Sequence, residues 1–187
     1  VIIPTLNEEK FIARCLDSVI EQSYPFRDMD VMVVDGGSND RTREIVEEYG
    51  RKYINIRFIH NPGRIQSIAF NIGVENSDAP YIVRLDAHAL YNKDYIEKCI
   101  AGLQNDTQIG NVGGRCIILP FNDTLWANTN AILNYSRFGI GGSAFRVGVK
   151  PDFVDSVPFG AFPRTVFEKV GGMREDLPRA EDNEYNS

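Results

Sequence analysis

The residues best suited to chemistry lie in the segment R-L-D-A-H, residues 84–88, at the end of an apolar run. Asp86 and His88 are two positions apart, so their side chains point to the same side where the chain leaves a strand. A carboxylate and a neutral imidazole are suitable ligands for Mg²⁺ or Mn²⁺, and the imidazole nitrogen favours Mn²⁺. Such an ion offsets the charge of a diphosphate leaving group. The alternative interpretation is a surface aspartate beside a hydrogen-bonded histidine.

Three other polar positions follow apolar runs or lie near the C-terminal end of the sequence. Asp35, in D-G-G-S, either begins a simple turn or accepts a hydrogen bond from a base or a ribose. Arg64 is either a bidentate phosphate donor or a solvated residue at the start of a helix. The segment R-A-E-D-N-E, residues 179–184, either supplies a general base for an attacking hydroxyl or is the solvated first turn of a helix.

Apolar spacing predicts alternating strands and helices around these residues. The predicted strands are Val1–Ile3, Val31–Val34, Ile56–Ile59, Tyr81–Leu85, Val112–Leu119 and Phe153–Val157. The predicted helices are Phe11–Ile20 (with Asn7 as its N-cap), Thr42–Tyr53, Ile65–Val74, Asp94–Leu103, residues 121–138 and Arg164–Val170. The glycine-rich segment Gly139–Gly148 is predicted to be a mobile loop.

This order predicts an α/β sandwich with a mostly parallel central sheet. Ligands of such sheets bind beyond the carboxyl ends of the strands. The polar residues after the first four predicted strands are therefore expected at one edge of the sheet, where they form a single site.

Composition limits the possible functions. The chain has 187 residues and is 43% hydrophobic and 25% charged, which fits one globular domain. A net charge of −6 argues against nucleic-acid binding. Three scattered cysteines without a CxxC pair are typical of buried thiols in a reducing compartment. No apolar run reaches the length of a membrane span, and the first and last residues suggest truncation at both ends.

Four motifs in order resemble those of the family 2 glycosyltransferases, inverting enzymes with the GT-A fold, a Rossmann-like nucleotide-diphospho-sugar transferase sandwich. The first motif is V-I-I-P-T-L-N-E-E, and the second is V-V-D-G-G-S-N-D-R-T, where the family usually reads V-D-D-G-S-x-D-x-T. R-L-D-A-H takes the place of Asp-x-Asp, and V-G-G-M-R-E-D-L-P-R-A-E-D-N-E is similar to the last motif. The stretch F-G-A-F-P-R-T-V-F-E-K-V-G-G resembles the bacterial succinoglycan-type, ExoA-like transferases.

The resemblance implies one GT-A catalytic domain over residues 1–187, with a donor-binding part in 1–119 and an acceptor-side part in 120–187. It assigns the nucleotide-sugar to eight residues, of which Thr5 and Asp35 hold uracil and ribose. The eight are Pro4, Thr5, Asn7, Glu8, Asp35, Gly37, Arg64 and Asp86. His88 is implied as a metal ligand together with Asp86, and Asp182 as the catalytic base with Glu181 as its neighbour. His88 replaces the family's second aspartate, which leaves the metal preference open.

The implied activity is Mn²⁺- or Mg²⁺-dependent transfer of a hexose, with glucose expected, from a UDP-sugar. The implied acceptor is a polysaccharide or lipid-linked glycan, and the implied location is cytoplasmic, at the inner face of the cell membrane. Any membrane association is expected only through parts of the protein outside this sequence.

The loop after the first strand argues against two rival functions, and a third, a domain without activity, stays open. A dinucleotide-dependent dehydrogenase needs G-x-G-x-x-G after the first strand, and P-T-L-N-E-E contains no glycine. A nucleotidyltransferase would need a glycine-rich, basic loop there, whereas this loop is acidic. A receiver-like domain or a sugar-nucleotide binder without activity needs acidic strand ends but has no use for Asp182, so replacing that residue distinguishes a binder from a transferase.

Overall fold

The computed structural model describes residues 1–120, 123–133, 152–154, 157–176 and 185. Its strands are β1 (Ile2–Thr5), β2 (Val31–Asp35), β3 (Ile56–His60), β4 (Tyr81–Val83) and β5 (Ala161–Pro163). Its helices are α1 (Ile12–Ile20), α2 (Thr42–Lys52), α3 (Gln66–Glu75), α4 (Tyr95–Asn105), α5 (Leu125–Leu133) and α6 (Arg164–Val170), with a short 3₁₀ turn at Phe26–Asp28.

The centre of the sheet is parallel, as the sequence predicts. The strand order is β1-β2-β3, and Thr5, Asp35 and His60 lie side by side at the carboxyl ends. On the other side of β1, Arg84 forms a parallel bridge with Ile2 just after β4 ends. The carboxyl ends of four chain segments therefore meet at one edge, which is where the polar residues were expected.

Alternating side chains of the sheet fill two separate cores. Ile3 and Val33 face a core closed by α1, α2 and α4, whereas Ile2 and Val34 face a core closed by α3 and α6. Because helices cover both faces of the central strands, β1 and β2 are buried along their whole length, whereas β3 carries the exposed Arg57 and His60. This double covering confirms the predicted α/β sandwich.

The later part of the chain corrects two strand predictions. Of Val112–Leu119, only Val112 forms a β-bridge, antiparallel with Ala161, and two glycines follow it. Phe153 and Val154 are not in a strand, and Phe153 is 88% exposed. The strand that forms is β5, which lies later in the chain and pairs antiparallel with β4. An apolar run becomes a strand only where a partner edge is available to it.

Helix predictions are mostly confirmed within a residue or two. Within the predicted helix 121–138, the described segment Leu125–Leu133 is helical. The predicted loop Gly139–Gly148 lies outside the described residues. None of the helices in the described ranges combines the length and the apolar character needed to cross a membrane.

The three cysteines are free thiols in different environments. Cys15 and Cys99 are buried, as predicted for all three, whereas Cys116 is partly exposed. Burial raises the pKa of the Cys15 thiol to about 12 and that of Cys99 to about 11. Because the thiolate is the reactive form, both buried cysteines are protected chemically as well as sterically.

We therefore expect iodoacetamide at about pH 8 to modify Cys116 first in the folded protein, and Cys15 and Cys99 only after unfolding. Peptide mass spectrometry of time points with and without denaturant measures the three rates. Labelling of Cys15 as fast as that of Cys116 in the folded state would contradict this description of the core.

Candidate active site

A cavity of about 170 Å³ opens at the edge where the strand ends meet. Six of the predicted site residues line it together: Pro4, Thr5, Glu8, Arg64, Asp86 and His88. Its other lining residues are Leu6, Asn61, Ile65, Gln66, Ala69 and Ala87. The structure thus brings two of the four motifs, together with Arg64, to one concave surface, although they are far apart in the chain.

Asp86 and His88 lie side by side on this surface. His88 Nε2 is 4.0 Å from Asp86 Oδ2, and the histidine side chain is 60% exposed. The other oxygen, Oδ1, accepts a hydrogen bond from Gln66 Nε2 at 3.2 Å and lies 3.9 Å from Nη2 of the buried Arg84. One carboxylate oxygen of Asp86 is therefore held by Gln66 and Arg84, and the other faces His88.

This pair fits a divalent cation. Adjacent ligands of an octahedral Mg²⁺ lie about 3 Å apart, so Oδ2 and Nε2 need to approach by about 1 Å from their 4.0 Å separation. Rotation of the exposed His88 side chain can supply that movement. In the part of the chain that the structure describes, no three His, Cys, Asp or Glu side chains are grouped to hold a metal. The remaining ligands would therefore come from diphosphate and water.

Asp35 is engaged in its own turn. It is 2% exposed, and Oδ2 accepts hydrogen bonds from the backbone N–H groups of Gly37 and Ser38, both at 2.9 Å. Its Oδ1 accepts a hydrogen bond from the Ser38 hydroxyl. Gly37 has φ of +84°, a conformation that favours glycine, so this turn depends on both residues. Neither residue lines the cavity, and their contact with a nucleotide stays a prediction.

Arg64 lies across the same turn. Its Nε donates to the carbonyl oxygen of Gly36 at 3.2 Å, and its backbone φ is +64°. The buried Asn61 supports this conformation, since its Oδ1 accepts from the Gly63 N–H and its Nδ2 donates to the Ile65 carbonyl. A Cβ on Gly36 would lie 3.3 Å from Arg64 Cα, so the glycine allows the arginine to come this close.

Asn7 links the loop after β1 to the loop after β2 by hydrogen bonds. The prediction that it is the N-cap of α1 is wrong. It has φ of +56°, its Oδ1 accepts from the Asn39 N–H, and its own N–H donates to the Ser38 hydroxyl. Helix α1 begins later, at Ile12, after a turn in which Glu8 carbonyl oxygen accepts from the N–H of Ile12. Asn7 therefore supports the site without lining the cavity.

Thr42 is the buried centre of the same loop contact. Its hydroxyl accepts the Glu8 N–H at 2.8 Å and donates to Asp40, and the residue is 0% exposed. A buried N–H group that loses its hydrogen-bond acceptor costs the full desolvation free energy of that group. The hydroxyl thus joins the loop after β1 to the start of α2.

We expect Thr42→Val to lower the free energy of unfolding by about 1–3 kcal/mol, because the isosteric change leaves the Glu8 N–H without its acceptor. Urea unfolding measures the change. Thr129→Val is the matched control, since the Thr129 hydroxyl is exposed and only donates to Leu125 in its own helix. Equal losses in the two variants would contradict a role for Thr42 in joining the loops.

Sequence reasoning missed two residues that hold Asp86. Arg84 has a signal in the sequence, because it lies two positions before Asp86 on the same side of the strand and a buried arginine needs a carboxylate. Gln66 has no such signal, since it begins α3 twenty residues earlier. The predicted base Asp182 and its neighbour Glu181 lie outside the described residues.

The sequence model described as "Glycosyl transferase family 2" matches residues 1–171. A dolichyl N-acetyl-alpha-D-glucosaminyl phosphate 3-beta-D-2,3-diacetamido-2,3-dideoxy-beta-D-glucuronosyltransferase of Methanococcus voltae is 29% identical over 100% of this chain and 59% of its own length. The succinoglycan biosynthesis protein ExoA of Rhizobium meliloti is 29% identical over 100% of this chain and 56% of its own length. The chain thus spans between half and two thirds of these relatives.

Solved structures share the fold. S. aureus TarS 1-349 in complex with UDP superposes with a TM-score of 0.70 at 20% identity, covering 99% of this chain and 52% of that one. The mannosyltransferase PcManGT of Pyrobaculum calidifontis, in complex with GDP-Man and Mn²⁺, gives 0.69 at 23% identity, covering 98% and 49%. Both likenesses confirm the predicted GT-A fold.

The family match covers most of the chain, ExoA is among the similar proteins, and the predicted site residues after β1, β3 and β4 meet in one cavity. The resemblance drawn from the four sequence motifs is confirmed, and the chain belongs to glycosyl transferase family 2.

Proposed function

We propose that this protein is a metal-dependent inverting glycosyltransferase that moves a hexose, with glucose expected, from a UDP-sugar to a glycan acceptor. The observation that carries the proposal is the pairing of Asp86 and His88 in a cavity that Thr5 and Arg64 also line. These residue types suit the three parts of a nucleotide-sugar donor, which are the base with its ribose, the diphosphate, and the sugar beyond it.

In this proposal Asp86 and His88 hold Mn²⁺ or Mg²⁺. Gln66 and Arg84 orient the Asp86 carboxylate through its other oxygen. The bound cation would supply charge neutralisation for the leaving diphosphate. Arg64 provides a guanidinium for a phosphate or ribose oxygen, and its contact with Gly36 pre-orients it. The support for metal use is the donor set of this chain together with the Mn²⁺ in the PcManGT complex.

The transfer step assigned to this protein is a direct displacement. The Asp182 carboxylate accepts the proton of an acceptor hydroxyl, whose oxygen attacks the anomeric carbon from the face opposite the diphosphate. The new carbon–oxygen bond forms as the bond to the diphosphate oxygen breaks, UDP departs with that electron pair, and the anomeric configuration inverts. The assignment of Asp182 rests on the sequence motif, which ends in E-D-N-E at residues 181–184.

We further propose that the acceptor is a lipid-linked glycan or a growing polysaccharide at the inner face of the cell membrane. The support comes from the relatives, one named for a dolichyl N-acetyl-glucosaminyl phosphate substrate and one for succinoglycan biosynthesis. UDP is the nucleotide in the TarS complex, whereas PcManGT was solved with GDP-Man, so the base needs its own test.

Proton NMR of the reaction products tests the activity. The protein is incubated with UDP-α-glucose, UDP-α-GlcNAc or GDP-α-mannose, with Mn²⁺ or with EDTA, and with a lipid-linked glycan fraction or with water as the only acceptor. We expect a β-configured product from a UDP-sugar in the presence of Mn²⁺. A retained α configuration would overturn the inverting mechanism, and donor binding without any turnover would favour a sugar-nucleotide-binding or nucleotidyltransferase-like domain.

A further inference from the structure

The carboxylate of Glu8 contacts the histidine at the proposed metal site. Glu8 Oε1 lies 3.1 Å from His88 Nδ1, and the glutamate side chain is only 19% exposed. The family resemblance assigns Glu8 to the nucleotide-sugar. The geometry instead places its carboxylate against Nδ1, whereas the ring nitrogen nearest Asp86 is Nε2.

This contact selects one form of the ring. A carboxylate only accepts hydrogen bonds, so in the neutral imidazole the proton sits on Nδ1 and donates to Glu8. The lone pair is then on Nε2, the nitrogen that faces Asp86 Oδ2 at 4.0 Å. Metal-binding histidines typically donate their second nitrogen to a carboxylate in this way, which orients the ring and makes it a stronger ligand.

Glu8 is well placed to act as a fixed support. Its N–H donates to the buried Thr42 hydroxyl, and its carbonyl oxygen accepts from Phe11 and Ile12 at the start of α1. His88 is by contrast mostly exposed and follows a strand end. The exposed ring is therefore held by a residue whose backbone N–H and carbonyl oxygen are both hydrogen-bonded.

We propose that Glu8 is a positioning residue, which accepts the Nδ1 proton of His88 and thereby keeps Nε2 available to a divalent cation shared with Asp86. This inference rests on the proposed function, because it needs a metal at Asp86 and His88. It changes the role of Glu8 from a nucleotide contact to a support of the metal ligand.

Two titrations separate these roles. In the first, Mn²⁺ is titrated into each protein with saturating UDP, and electron paramagnetic resonance of free Mn²⁺ gives the Mn²⁺ affinity. In the second, UDP is titrated into each protein in EDTA, which gives the UDP affinity without metal. We expect Glu8→Ala to weaken Mn²⁺ binding about 10–100-fold and to leave UDP binding in EDTA unchanged. Glu8→Gln, which keeps an acceptor oxygen, should fall between Glu8→Ala and the wild type.

Glu9→Ala is the matched control, because Glu9 is the adjacent acid and its carboxylate accepts from the Arg41 N–H instead. It should leave Mn²⁺ binding unchanged. The double variant Glu8→Ala with His88→Ala should bind Mn²⁺ no more weakly than His88→Ala alone, because the two residues act through one contact.

A spectroscopic readout is independent of metal and turnover. The protein has two histidines, so a His88→Ala spectrum assigns the imidazole ¹⁵N signals of each. At a pH where His88 is neutral, the metal-free wild type should show the Nδ1–H form, and Glu8→Ala should shift the ring toward the Nε2–H form.

The outcomes distinguish the two proposals. A wild type without Mn²⁺-dependent UDP binding means that the proposed function itself fails. If the wild type shows such binding and Glu8→Ala has the same Mn²⁺ affinity or the same His88 tautomer, the proposed role of Glu8 is wrong and the proposed function stands. If Glu8→Ala loses affinity for UDP in EDTA, Glu8 contacts the nucleotide, as the family resemblance implies.

Discussion

Asp86→Asn is expected to remove most of the Mn²⁺-dependent affinity for UDP and to lower kcat by about 10²–10³-fold. The substitution keeps the shape of the side chain but removes the charge that faces His88 at 4.0 Å. Charge stabilisation by a bound cation is worth several kcal/mol, and each 1.36 kcal/mol corresponds to about a factor of ten in rate. UDP titration with Mn²⁺ and a donor-turnover assay measure the two effects.

Asp94→Asn is the control for this prediction. Asp94 is a partly exposed aspartate eight residues later whose carboxylate pairs with Lys98 one turn on, and it does not line the cavity. Because Arg84 lies 3.9 Å from the Asp86 carboxylate, thermal unfolding of Asp86→Asn must show that the variant remains folded. A folded Asp86→Asn protein that binds UDP and Mn²⁺ like the wild type would contradict the metal site.

Asp182→Asn is expected to lower kcat by about 10²–10⁴-fold while UDP binding is preserved, because general-base catalysis contributes a factor of that size. In the proposed function the donor is held by the residues that line the cavity, and those in the described part of the chain all belong to its first half. Calorimetric UDP binding and product formation, measured on the same sample, separate the two properties.

The control is Asp176→Asn, an exposed aspartate a few residues earlier that pairs with Arg174. It should keep full turnover. Unchanged turnover in Asp182→Asn would mean that another group takes the acceptor proton or that the protein only binds nucleotide-sugars. Loss of UDP binding in Asp182→Asn would instead indicate that Asp182 takes part in binding the nucleotide-sugar donor.

The first half of the fold is predictable from sequence because its signals are local and repeated. Each buried parallel strand is a continuous apolar run, as in Val31–Val34, and a polar residue marks the point where it ends. Strand direction then places Thr5, Asp35 and Asp86 at one edge without knowledge of any tertiary contact. The cavity follows from topology alone.

The parts that sequence does not reveal depend on contacts between distant residues. Val112–Leu119 has the composition of a strand but forms only one bridge, to Ala161, on the edge of β5 that β4 does not occupy. The contacts of Gln66 with Asp86 and of Glu8 with His88 join residues 20 and 80 positions apart. Spacing within a motif cannot show which distant side chain completes the site.

The most direct test of the central claim is calorimetric titration of UDP into the purified protein, with Mn²⁺ and with EDTA, alongside GDP and NAD⁺. We predict binding of UDP that is strong with Mn²⁺ and much weaker in EDTA, with little binding of the other two nucleotides. A folded protein that does not bind UDP, or that binds it equally well in EDTA, would contradict the assignment of Asp86 and His88 to a metal-supported donor site.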